Sequence, residues 1–206
     1  MAEIMIRSVL VSECYTNCYI CMNQETKEGF IVDPGADELK ISANISRLEM
    51  IPKAILLTHG HFDHVEAVEG LKNRYDIPVI VGEKEDRLLL DKRMNLSAMF
   101  GNPLQVCADK FLSDGEKITV AGFKIQYIHT PGHTPGSGCY YLADNEVLFS
   151  GDTLFQASRG RTDFPGGSEA AILNSIKNKL LTLPGDTEVY PGHMEITTID
   201  SEKVYY

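Results

Sequence analysis

The feature that most constrains this chain is the run Thr58-His59-Gly60-His61-Phe62-Asp63-His64, which directly follows the apolar segment Ala54-Ile55-Leu56-Leu57. Four potential metal ligands fall within six positions. Imidazole nitrogen and carboxylate oxygen are the donors preferred by zinc and similar borderline cations. A globular domain has little structural reason to crowd three histidines and an aspartate together. His59 and His61, on one side of an extended strand end, are placed to grip one ion. Asp63 and His64 lie where the chain turns into a helix and so point elsewhere, which favours a second, adjacent ion.

Three further residues repeat one local setting. His133 sits in Thr130-Pro131-Gly132-His133-Thr134, Asp152 in Ser150-Gly151-Asp152-Thr153, and His193 in Tyr190-Pro191-Gly192-His193. Each follows a β-prone segment on a loop beside Gly or Pro, where a sheet can hold a site rigidly and the backbone can approach closely. Singly, each reads more readily as a core histidine or a turn aspartate. Together with the run they make seven candidate ligands for two divalent ions. The sixth histidine, His129, reads as a satisfied strand-end residue ahead of a positioning role. Arg159 and Arg161 follow Asp152 in a Gly-containing stretch, and Arg161 is the candidate contact for an anionic substrate. Tyr190 reads as packing.

Strand patterns cover Met5 to Val11, Cys18 to Asn23, Gly29 to Val32, Ala54 to Leu57, Pro78 to Val81 and Glu188 to Tyr190. Lys117 to Val120 with Phe123 to Ile128, and Cys139 to Leu142 with Val147 to Ser150, read as two hairpins. Helical periodicity predicts Asp37 to Met50, Asp63 to Tyr75, Glu83 to Met99, and Ser168 to Leu181 with Ser168 as N-cap. Two sheets packed face to face with helices outside use this pattern well, in one α/β domain spanning residues 1–206. Of the five cysteines, Cys18 and Cys21 form a CxxC inside a strand, so they point to opposite faces and read as structural.

The net charge is −10, and no Lys/Arg cluster offers a basic surface, so nucleic acid is not expected and a small-molecule substrate is. No apolar run approaches the ~20 residues that span a bilayer. Met1 to Leu10 does not read as a signal peptide, so the expected location is the cytoplasm.

The ligand residues together resemble the metallo-β-lactamase superfamily. Its HxHxDH pattern is matched by His59, His61, Asp63 and His64, and its later ligands by His133, Asp152 and His193. The likeness runs from Asn17-Cys18-Tyr19 through Asp33-Pro34-Gly35 to Pro191-Gly192-His193. It implies a four-layer αβ/βα sandwich. It also implies one ion on His59, His61 and His133, another on Asp63, His64 and His193, and Asp152 bridging them. Within the superfamily, Gly151-Asp152-Thr153-Leu154-Phe155 followed by Gly160-Arg161 is similar to glyoxalase II, and Arg161-Thr162-Asp163-Phe164 also resembles persulfide dioxygenases. Glyoxalase II carries a C-terminal helical region that helps hold glutathione. Only 13 residues follow His193, and such a region is not expected in them.

The resemblance predicts a hydrolase in which a hydroxide shared by two divalent ions attacks a small thioester or ester. Zinc is the first expectation for the metal, with iron or manganese as alternatives. Asp63 and Asp152 are the catalytic candidates. The nearest rival is an iron-dependent persulfide dioxygenase using His59, His133 and Asp152 as a 2-His-1-carboxylate set. A non-catalytic, metal-stabilised binding module is a third reading. It needs a closed coordination shell, whereas seven ligands for two ions leave room for water.

Overall fold

Strand β2 (Thr16–Asn23) is buried along its whole length. Cys18, Ile20 and Met22 join one apolar cluster, and Tyr19 and Cys21 join another. A strand buried on both faces needs a layer on each side. The computed structural model, which describes residues 2–100 and 102–206, supplies both. β1 (Ile4–Val11), β2, β3 (Glu28–Val32), β4 (Ile51–Leu56), β5 (Val79–Gly82) and β6 (Lys110–Leu112) form one sheet in that order. Its first three strands pair antiparallel and the rest parallel.

The second sheet is built from β7 (Lys117–Val120), β8 (Phe123–His129), β9 (Gly138–Leu142) and β10 (Val147–Gly151). A short hairpin, β11 (Leu154–Phe155) with β12 (Ser158–Arg159), intervenes before β13 (Glu188–Pro191) and β14 (Thr197–Thr198) complete the sheet. Its order is β14-β13-β10-β9-β8-β7, and only the β10–β13 pair is parallel.

Between the sheets lies a core that includes Tyr19, Phe30, Phe123, Tyr140 and Phe149. Phe149 packs its ring 5.4 Å from Tyr19 and 6.1 Å, edge-on, from Phe30. The outer face of the first sheet is covered by α1 (Glu38–Arg47) and α3 (Val68–Tyr75), through Ile41, Ile45, Val68 and Leu71. The outer face of the second is covered by α6 (Glu169–Ser175) and its π-type continuation Ile176–Leu180, with α7 (Ile199–Glu202) contributing Ile199. The expected αβ/βα layering is therefore present, and Cys18 and Cys21 do face opposite clusters. No helix among the described residues is long and apolar enough to cross a membrane.

Three helices differ from their expected extents. The helix expected over 63–75 is split into α2 (Phe62–Val65) and α3, because Ala67 donates its N–H to the Pro34 carbonyl at 3.0 Å instead of continuing the helical ladder. The helix expected over 83–99 breaks into a 3₁₀ turn Glu83–Glu85, α4 (Asp86–Leu90) and α5 (Ser97–Phe100). Asp91 stops α4 by accepting the N–H groups of Arg93 and Met94 at 2.8 and 3.2 Å, a local bond that competes with helix. α1 ends at Arg47, and Glu49 turns left-handed at φ 54. Ser168 caps α6 as expected, accepting the Ala171 N–H at 3.3 Å.

Candidate metal centre

β3 and β4 are parallel neighbours, so their C-terminal ends lie side by side. Asp33, one residue past β3, accepts the backbone N–H of Thr58 at 2.8 Å and its hydroxyl at 2.6 Å. This fixes the chain where it enters the histidine run. Asp33 Oδ2 also accepts from His64 Nδ1 at 3.0 Å, which makes Nδ1 the protonated nitrogen and leaves His64 Nε2 as a donor atom.

The second sheet brings the other candidates to the same edge. His133 follows β8, and its Nδ1 donates to the Arg161 carbonyl at 2.7 Å, leaving Nε2 with its lone pair. Asp152 leaves β10 through Gly151, whose φ of +49 suits glycine, and a Cβ there would meet Thr58 Oγ1 at 2.2 Å. His193 follows β13. Its loop is tied to β2 by Asn17 Nδ2 and Tyr19 Oη, which donate to the Pro191 carbonyl at 3.1 and 2.6 Å. The Gly192 N–H reaches the Gly151 carbonyl at 2.9 Å, joining the two ligand loops.

All seven candidates meet. His59, His61 and His133 form one group and Asp63, His64 and His193 another, each with donor atoms within 4.8 Å of one another. Asp152 lies between the groups. Its Oδ2 is 3.4 Å from His133 Nε2 and 3.5 Å from His193 Nε2, and its Oδ1 is 3.4 Å from His64 Nε2. His61 Nδ1 lies 2.9 Å from His133 Nε2, a spacing that needs a proton or a cation between the nitrogens. Thr16 Oγ1 donates to Asp63 Oδ2 at 3.0 Å and holds that carboxylate in place.

Burial favours neutral rings at His59 and His61, whereas the neighbouring carboxylates favour a proton on His64 and His193 that a cation would have to displace. Burial, reinforced by the neighbouring imidazoles, holds His59 and His61 well below the usual histidine pKa, so both are neutral donors. Burial also opposes charge on His64, but Asp63, Asp152 and Asp33 outweigh it and raise its pKa to about 10. Burial disfavours the Asp63 carboxylate, yet His64 and His193 overcome this and hold it below the ordinary range. His193 is shifted upward, since Asp152 and Asp63 overcome its burial.

The donor set fits a cation. His59 Nε2, His61 Nε2 and Asp152 Oδ1 are buried without a hydrogen-bond partner. Buried polar atoms are normally satisfied, so unpartnered nitrogen and oxygen atoms within this His/Asp cluster suit divalent ions.

The group opens into a cavity of about 510 Å³, walled by Phe62, Leu96, Phe100, Phe155, Phe164 and Met194. Phe164 sets its edge against His61 at 5.7 Å. Arg159 and Arg161 reach the rim, each beside a carboxylate: Arg159 pairs with Glu169, and Arg161 donates twice to Asp163 at 2.7 and 2.6 Å. His129 lies outside the group, its Nε2 on the Pro135 carbonyl at 2.9 Å.

Sequence reasoning missed Asp33, Thr16 and Glu85. Asp33 entered only as part of the Asp33-Pro34-Gly35 likeness, with no role of its own, and only its place after a strand beside the histidine strand hinted at more. Glu85 fell within an expected helix and carried no signal. It is fully buried, and burial raises its carboxyl to about 7 against hydrogen bonds from Gly60, Thr134 and Gly136.

A family model described as the metallo-beta-lactamase superfamily matches residues 11–193. The chain belongs to the metallo-β-lactamase superfamily. Its relatives include the "Probable metallo-hydrolase YqgX" of Bacillus subtilis, 37% identical over 96% of this chain and 93% of that protein. The "Hydroxyacylglutathione hydrolase GloC" of Haemophilus influenzae is 36% identical over 96% of this chain and 94% of that protein. Among solved structures, the BLEG-1 B3 metallo-beta-lactamase superposes with a TM-score of 0.92 at 41% identity, covering 97% of both chains. TTHA1623 in a di-iron-bound form gives 0.84 at 34% identity, covering 96% of both. Members of this superfamily bind divalent metals, and the His/Asp cluster sits where this chain would hold them.

Proposed function

We propose that this metallo-β-lactamase-fold protein is a hydrolase of small thioesters or esters, of the glyoxalase II type. The observation that carries the reading is Asp152 lying within 3.5 Å of both histidine groups at the floor of an open cavity. His59, His61 and His133 would hold one ion and Asp63, His64 and His193 the other, with Asp152 shared. Bound divalent ions, zinc first among them, supply Lewis acidity that lowers the pKa of water from ~15.7 to about 7 and polarises a carbonyl oxygen.

The chain's own groups do the rest. Asp33 and the Arg161 carbonyl fix the ring orientations of His64 and His133. Thr16 steadies Asp63. The phenylalanine wall keeps bulk water from the reacting carbonyl, and Arg161 stands at the rim to meet an anionic substituent. The 36% identity to a hydroxyacylglutathione hydrolase supports a thioester substrate. The di-iron form of TTHA1623 supports iron as the alternative metal. The second reading is a persulfide dioxygenase with iron on His59, His133 and Asp152.

The test is a substrate panel on protein of measured metal content. Hydrolysis of S-lactoylglutathione or a simpler thioester, lost on chelation and restored by zinc, is expected. Oxygen uptake with glutathione persulfide in iron-loaded protein, without thioester hydrolysis, would replace this reading with the dioxygenase. Full hydrolysis by metal-stripped protein would overturn both.

A further inference from the structure

We propose that Glu85 is a positioning residue that locks together the two turns carrying His59, His61 and His133, and thereby sets the affinity of that trio for its ion. The inference rests on the metal-centre reading above.

Glu85 ends the 3₁₀ turn that follows β5, and none of it is exposed. Its Oε1 accepts the Gly60 N–H at 2.9 Å, and its Oε2 accepts the Thr134 hydroxyl at 2.9 Å. The Gly136 N–H also donates to the carboxylate. Gly60 stands between His59 and His61, and Thr134 follows His133 directly. One side chain therefore clasps a turn leaving β4 of the first sheet and a turn leaving β8 of the second. Thr134 is itself held, its hydroxyl 2.7 Å from Ser137 Oγ. The clasp bears on the Gly60 backbone and the Thr134 hydroxyl, beside the ligands and not on them, so it acts by setting where the three imidazoles point.

The residue type matters. Among the described residues, no lysine, arginine or histidine side chain pairs with Glu85. A buried carboxylate without a cationic partner is a poor device for stability alone, because desolvating the charge is expensive. It is useful where several donors must be gathered at one point, which two acceptor oxygens do and one amide oxygen cannot. It is useful again where cations are to be bound nearby, since its charge then favours them.

The experiment compares the whole protein with E85Q, T134V and T134S. Zinc content per chain is measured, and zinc affinity is read by competition with a chromophoric chelator. Near-UV circular dichroism reports the fold. Wild type is expected to hold two ions. E85Q is expected to keep its fold and one tight ion, and to weaken the other by about 10- to 100-fold. T134V, which removes one donor, is expected to weaken the same ion less, and T134S to restore it. Should E85Q fail to fold, the T134V and T134S pair decides alone. If T134V, and E85Q where it folds, bind both ions as wild type does, the clasp has no such role and the proposal falls while the metal centre stands. If wild type binds no divalent cation, the metal reading itself fails and the proposal with it.

Discussion

Asp33 Oδ2 accepts a hydrogen bond from His64 Nδ1 at 3.0 Å, and this single contact turns His64 Nε2 to within 3.4 Å of Asp152 Oδ1. Asp33 occupies a left-handed conformation at φ 47, which asparagine also tolerates. D33N therefore keeps the backbone but weakens the acceptor that selects the His64 tautomer. The expected result is a 10- to 100-fold loss of affinity for the ion of the Asp63, His64 and His193 group, with the other ion retained. Zinc titration of chelator-treated protein reads it directly. Unchanged affinity for both ions would show that the ring is held by packing alone.

Gly192 has a similar bearing on Asp152, through space instead of charge. A Cβ there would lie 2.2 Å from Asp152 Oδ1 and 2.7 Å from His64 Cε1. G192A must push the shared carboxylate or the ring aside, and a displacement near 1 Å at a reacting centre lowers activity by about 10²-fold. The fold should survive, because the strain falls on loops at the sheet ends. G115A is the control: its Cβ meets nothing within 4 Å, although φ is +80, so it should lower stability by about 1–2 kcal/mol without touching activity. Comparing thioester turnover with thermal midpoints separates the two effects. A G192A protein of normal turnover would contradict the placement of Asp152.

The layers and the ligands were legible in the sequence for different reasons. Four-layer packing follows from strands such as Cys18 to Asn23, apolar on both faces, alternating with one-faced helices such as Glu38–Arg47. The candidate ligands were legible because three histidines and an aspartate crowded into six positions are hard to explain otherwise, and they lend weight to the later residues that are ambiguous singly. What stayed hidden is set by tertiary contact. The break at Ala67 depends on the Pro34 carbonyl, and the break at Asp91 on a side chain folding back on its own turn. Thr16, Asp33 and Glu85 act on residues 47, 25 and 49 positions away, distances that no local pattern encodes.

Glu85 also makes a pH dependence. Burial raises its folded-state carboxyl from an ordinary 4.5 to about 7. Between those values the folded chain keeps a proton that the unfolded chain has lost, so stability falls as pH rises through that window. The penalty is absent below pH 4.5 and complete above about 7, with a ceiling on the order of 3 kcal/mol. E85Q lacks this ionisation. Chelator-treated wild type should lose stability relative to chelator-treated E85Q across the window, read as urea midpoints at pH 4.5, 6 and 8. Parallel pH profiles for the two proteins would mean that Glu85 does not titrate there. Added zinc should flatten the wild-type slope, since bound cations favour the ionised carboxylate.

Arg161 is the clearest case of a rim residue whose role depends on a neighbour. Its guanidinium already donates twice to Asp163 and lies 4.1 Å over the Phe164 ring. Both partners of the ion pair are exposed, so R161A should change stability by less than about 1 kcal/mol. An anionic substrate must compete with Asp163 for the same donors. R161A is therefore expected to raise KM for an anionic thioester by about 3- to 10-fold with little change in kcat, the signature of lost uniform binding. D163N frees the guanidinium and should lower that KM. A neutral thioester should respond to neither substitution. Steady-state kinetics on the paired substrates decide it: equal losses in kcat and kcat/KM would place Arg161 in the chemistry, and no change in either would leave it a solvated loop residue.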